Sequence, residues 1–163
     1  MMAKSRVAPL KQCTIPRLEL CGALTVSKML EFVTKEMQIP LEQTFAWTDS
    51  SIVLAWLNAS GNKLGTFERH RVDDIHSRIP AKLWRHVPTS INPADLVSRG
   101  VSPRELLALE LWWKGPPRLQ QSPEYWPQSP DLNPVRELPD VEQTVLTVQH
   151  TEDEFGSDFS SMG

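Results

Sequence analysis

"TFAWTDSSIVLAWL", residues 44–57, holds a change of period around one acid. Phe45 and Trp47 alternate with smaller or polar residues, the period-2 pattern of a strand. Ile52, Val53, Trp56 and Leu57 then recur at helical spacing. Asp49 stands at the junction. A carboxylate there has two readings: it caps the helix, or it belongs to a metal-binding set whose other members lie elsewhere in the chain.

Working outward, residues 4–10, "KSRVAPL", read as a short strand that Pro9 stops. Pro16 suits the first turn of a helix. The apolar stripe Leu18, Cys21, Val26, Met29, Leu30, Val33, Met37 carries that helix to about Gln38, before Pro40. A strand over 43–48 and a helix over 50–59 follow. "NASGNKLG" is a loop by its Gly and Asn content. Residues 66–79 set Phe67, Val72, Ile75 and Ile79 near one helical face, and Pro80 ends the element. "LWRHVP", 83–88, reads as another strand. "INPADLVSRG" offers Asn92 as N-cap, Pro93 at the first helical position and Gly100 as a stop. "SPRELLALELWW" reads as one short helix capped by Ser102. The crossover from 43–48 to 83–88 is long enough to make those strands parallel neighbours, so the class is α/β.

The chain has 163 residues and a net charge of −3, distributed unevenly. Residues 1–114 carry 15 Lys and Arg against 11 Asp and Glu, a balance of +4; residues 115–163 carry 2 against 9, a balance of −7. A mildly basic body with an acidic end is compatible with nucleic-acid binding. Seven of the 14 prolines fall between 116 and 139. The division expected is a domain over 3–114, then a Pro-rich and acidic linker or tail over 115–163, mostly disordered. No run of apolar residues suits a membrane span, and the N-terminus has no signal-peptide pattern. Two cysteines, Cys13 and Cys21, are too few for a disulfide framework and read as reduced thiols. An intracellular protein, cytoplasmic or nuclear and not secreted, is the expectation.

Three acids take comparable positions: Glu19 early in the first long helix, Asp49 at the end of a strand, and Asp95 third after Asn92. Each has a plainer reading, since acids near helix N-termini complement the macrodipole. Together they suit two-metal phosphodiester hydrolysis, in which carboxylates from different elements hold two divalent ions roughly 3.5–4 Å apart. Magnesium prefers such hard oxygen ligands. Spacing alone does not establish that the three converge.

"AKSRVAPLKQCTIPRLELCGAL", "FAWTDSSIVLAWL", "FERHRVDDI", "LWRHVPTSINPADLVSRG" and "WWKGPPRL…YWP" occur in this order. Together they closely resemble the Pol polyprotein of BEL/Pao-type LTR retrotransposons, in the ribonuclease H-like region that follows the reverse transcriptase. The same stretch is often filed under a Pao retrotransposon peptidase heading, a label for the polyprotein. The resemblance spans about residues 3–127. It implies a ribonuclease H-like fold in which four acids bind two Mg2+ ions and cut the RNA of an RNA–DNA hybrid. The helix-borne glutamate maps onto Glu19 in "IPRLEL", the aspartate ending the fourth strand onto Asp49 in "WTDS", and the last aspartate onto Asp95 in "NPAD". The family's first aspartate lies upstream of "AKSRVAPL". The expectation is therefore a truncated fold with its first two strands missing, weak or single magnesium binding, and impaired catalysis. Expected partners are the hybrid and the reverse transcriptase and integrase regions of the same polyprotein. Arg118 departs from the pattern, standing where the family commonly has a further tryptophan.

Lys63, Arg69 and Arg71 are candidate contacts to hybrid phosphates; the plainer reading is a solvated helix face. His86 falls in a strand and takes no catalytic role. Trp112, Trp113 and Trp126 suit either base stacking or anchoring of the trailing segment. "DSS" at 49–51 suggests an aspartic peptidase, but Ser51 replaces the glycine of that motif and a helix follows at once. Two non-nuclease alternatives therefore stand: a nucleic-acid- or protein-binding module derived from a retroelement, and a peptidase-related segment.

Overall fold

The computed structural model describes Lys4 and residues 13–127. The strand expected over 4–10 and the tail beyond 127 fall almost wholly outside these residues.

Helix α1 covers Ile15–Met37, with Pro16 in its first turn, where the ring's missing N–H is not needed. It stops where Gln38 turns left-handed, with φ 55°, and the amides of Gln38 and Ile39 close onto Lys35 and Thr34. A 3-10 turn at Leu41–Gln43 leads into strand β1, Ala46–Thr48. Ser50 caps helix α2, Ser51–Asn58, its Oγ accepting from the Val53 amide at 3.2 Å. Helix α3, Thr66–His76, and a 3-10 turn at Ala81–Leu83 precede strand β2, Trp84–His86. Three short helices follow: α4 at Ala94–Arg99, α5 at Pro103–Ala108 and α6 at Glu110–Lys114.

The two strands are parallel neighbours, with Ala46 opposite Trp84, Trp47 opposite Arg85 and Thr48 opposite His86. The Val87 amide extends the ladder by donating to the Thr48 carbonyl at 3.0 Å. Helix α2 packs on both strands, and α1 on α2, α3 and β1. The core gathers Leu20 and Ala23 from α1, four residues of α2 (Val53, Leu54, Trp56, Leu57), Val72 and Ile75 from α3, and Ala46 and Trp84 from the sheet. The architecture is α/β, a mainly helical body around a two-stranded parallel sheet among the described residues.

Several boundaries differ from the sequence expectation. Both strands are shorter than expected: 3-10 turns, which carry no distinctive periodicity, take Gln43 and Leu83 at their starts, and β2 ends at His86, two residues before Pro88. Helix α3 ends at His76, not Ile79; the Ile79 amide still reaches the Ile75 carbonyl at 2.8 Å. The expected helix from Ser102 is two helices, broken at Leu109 with φ −88° and ψ 88°. Its start is as read, with Ser102 and Glu105 forming a capping box. At α4 the boundary residue is Pro93 rather than Asn92, although Asn92 Oδ1 still accepts from the Ala94 amide at 3.1 Å. Glu19 lies past the first turn of α1, which holds no acid, so the macrodipole reading loses its ground there.

Of the segment read as linker and tail, residues 117–125 form two 3-10 turns. Trp126 then packs edge-on against Phe45 and Trp47, with ring centroids 4.9 and 5.5 Å apart. That is the anchoring role; Trp113 is exposed and donates its indole N–H to the Leu106 carbonyl.

Candidate acidic cleft

Thr48 is the last residue of β1, and its Oγ1 accepts from the Ser50 amide at 3.2 Å. This bond closes a tight corner in which Asp49 sits between the strand end and the α2 cap. Asp49 therefore stands at the C-terminal end of a parallel strand, where open α/β sheets place their ligands. Glu19 comes from the second turn of α1 and Asp95 from the first turn of α4. All three line one cleft of about 690 Å3, whose apolar wall includes Leu18, Met29 and Trp47.

Glu19 and Asp49 interact. The Glu19 carboxyl is pushed above its ordinary range, first because the cleft wall strips part of its hydration. A hydrogen bond with Ser50 pulls the other way, and the negative charge of Asp49 raises it further. Ser50, the α2 cap, thus also lowers the Glu19 pKa. Asp95 shares the cleft but is paired at 3.2 Å with Arg99, whose side chain is largely exposed. Among the described residues no three His, Cys, Asp or Glu side chains stand close enough to hold one metal ion. The donor chemistry suits magnesium, and two carboxylates with several waters are a common way of holding that ion. Glu19 and Asp49 fit such a site; Asp95 lies outside that pair.

Of the three basic candidates, Arg71 lines the cleft, while Lys63 and Arg69 are exposed away from it. Ser50, Phe67 and Trp84 were not legible as site residues. Ser50 had a signal, a hydroxyl residue directly before a helical run; Trp84 read only as a strand residue. Helix α2 starts two residues after Asp49, which leaves no room for the loop of an aspartic-peptidase motif.

The family model described as Pao retrotransposon-like RNaseH-like domain matches residues 1–50. This stretch is similar to a Pao-type retrotransposon RNase H-like region. It contains both Glu19 and Asp49, the two interacting carboxylates, and ends at the Ser50 cap. No curated protein and no solved structure matches the chain.

Proposed function

We propose that the cleft is the acidic site of a ribonuclease H-type endonuclease from the Pol polyprotein of a BEL/Pao retroelement. Its substrate class is the RNA strand of an RNA–DNA hybrid, with Mg2+ as cofactor. The observation that carries this reading is that Glu19, Asp49 and Asp95, from three separate elements, line one cleft. Glu19 and Asp49 are the proposed magnesium ligands. Asp95 completes the site from α4 once it leaves Arg99, an exposed pair worth roughly 0–1 kcal/mol.

Bound magnesium supplies charge stabilisation at the attacking or leaving oxygen of the phosphodiester. The chain's own residues place the ligands. The Thr48–Ser50 corner fixes Asp49. With only Glu19 and Asp49 as a close pair, one ion is held weakly and turnover is slow. Of the basic candidates, Arg71 lines the cleft and is the proposed direct contact to the hybrid, while Lys63 and Arg69, exposed away from it, add only a diffuse positive field. The reverse transcriptase and integrase regions are the proposed polyprotein partners, and the proposed location is intracellular. Among the described residues no helix is long and apolar enough to cross a membrane.

The test is cleavage of an end-labelled RNA–DNA hybrid by the full chain in magnesium, beside its Asp49→Asn variant. A low, magnesium-dependent rate that Asp49→Asn abolishes is expected. Equal rates for the two proteins would overturn the nuclease reading. The lack of a three-acid metal set among the described residues favours one second reading, a non-catalytic nucleic-acid- or protein-binding module. Hybrid binding without Asp49-dependent cleavage would put it first.

A further inference from the structure

Two arginines meet the ring of Phe67, and their charges are used differently. Arg17 has its guanidinium carbon 5.2 Å from the ring centroid and donates from Nε to Glu68 Oε1 at 2.7 Å. Its charge is spent on a buried carboxylate. Arg71 lies closer, 3.4 Å from the same centroid, and its Nη1 donates to the Phe67 carbonyl at 2.9 Å. No carboxylate stands within ion-pair distance of it among the described residues.

Arg71 nevertheless lines the cleft that holds Glu19, Asp49 and Asp95, where Lys4 is the only other described basic residue. Its guanidinium is therefore held by an aromatic face and a carbonyl, close to acids it does not neutralise. Trp84 adds an independent sign. It is 3% exposed, lines the same cleft, and its indole N–H has no acceptor. A buried donor without a partner is costly, which makes an acceptor supplied by a ligand favourable. A fixed cation in a cleft built from acids, beside a wall residue whose buried N–H lacks an acceptor, matches a group that is anionic and rich in acceptor oxygens.

We propose that Arg71 is a positioning residue for the substrate: its guanidinium, held against the Phe67 ring, grips a phosphate oxygen of the nucleic-acid backbone beside the Glu19–Asp49 pair. This rests on the nuclease reading of the cleft. It separates Arg71 from Lys63 and Arg69, whose exposed charges act only as a diffuse field. Arginine suits the role because its planar fork binds phosphate through two parallel hydrogen bonds.

The experiment measures binding of a fluorescent RNA–DNA hybrid to the full chain in EDTA, across a salt series. The proteins are the unaltered chain, Arg71→Gln, Arg71→Lys and Lys63→Gln, each first checked for a cooperative thermal transition. Arg71→Gln is expected to weaken binding roughly tenfold and to reduce the slope of log K against log salt by about one. Arg71→Lys, the second variant, keeps the charge and therefore the slope, and loses part of the affinity with the fork. Lys63→Gln leaves affinity within about twofold. A purely structural Arg71 would change thermal stability and leave the slope alone. An unchanged slope in Arg71→Gln, or no hybrid binding by the unaltered chain, overturns the proposal. Because no metal is present, the result is independent of cleavage. A slope effect without Asp49-dependent hydrolysis upholds the phosphate contact and removes the nuclease. Hydrolysis without a slope effect does the reverse.

Discussion

Glu19 carries the most information of any single residue, because its proton reports on its neighbours. Its carboxyl is raised by lost hydration and by Asp49, against the opposing bond from Ser50. Two substitutions should move it in opposite directions. Asp49→Asn removes the repelling charge and lowers the Glu19 pKa; Ser50→Ala removes the hydrogen bond and raises it. Carboxyl-carbon NMR over a pH titration reads both, and a Glu19 signal indifferent to both changes would separate these groups. The effect on stability has a definite sign. A folded pKa above the ordinary 4.5 means that the folded chain binds this proton more tightly than the unfolded chain. The contribution of Glu19 to stability is therefore fullest in acid and declines as pH rises from 4.5 through the folded value. Glu19→Gln should consequently leave the neutral-pH melting temperature undiminished while weakening metal binding.

At the scale of elements, α1 and α3 are joined by charge as well as by apolar packing. Glu68 is 5% exposed and rests on Arg17, and Arg78 reaches from the end of α3 to Glu31 at 2.9 Å. The two pairs differ in consequence. Glu31 is exposed, so its pair contributes little. Removing Arg17 would strand a buried carboxylate, which costs about 3 kcal/mol. Arg17→Met should lower stability by about that amount, read as a shift of the urea midpoint at constant m. Arg78→Met should cost less than ~1 kcal/mol. Gly65 belongs to the same clamp: a Cβ there would stand 2.6 Å from Glu68 Oε2.

Legibility from sequence follows the same division. Helix α1 was readable to within a residue or two because a long apolar stripe and two prolines bound it. The break at Leu109 was not, since no glycine or proline marks it and the apolar spacing runs through. The parallel pairing of β1 with β2 followed from crossover length, while the register did not. The acids were visible as residue types, but whether they meet depends on how α1, β1 and α4 pack, which no local pattern encodes. Arg71 was visible only as one of three cations; its place in the cleft comes from the face that α3 turns toward α1.

Over the whole molecule, the sheet end, three helices and the trailing segment meet around one region. Trp126 closes one side of β1 against Phe45 and Trp47, and Trp47 also lines the acidic cleft. Residues more than seventy apart thus support the strand end that carries Asp49. The central claim is that this assembly makes Glu19 and Asp49 one magnesium site, with Asp95 beside it. Manganese(II) titrated into the full chain, with side-chain carboxyl resonances followed by NMR, tests it most directly, because paramagnetic broadening falls steeply with distance from the ion. The account predicts that Glu19 and Asp49 broaden first and together, that Asp95 follows, and that added magnesium restores all three. Broadening that begins at the acidic residues beyond 127, or at Asp73 and Asp74, while Glu19 and Asp49 stay sharp would contradict it.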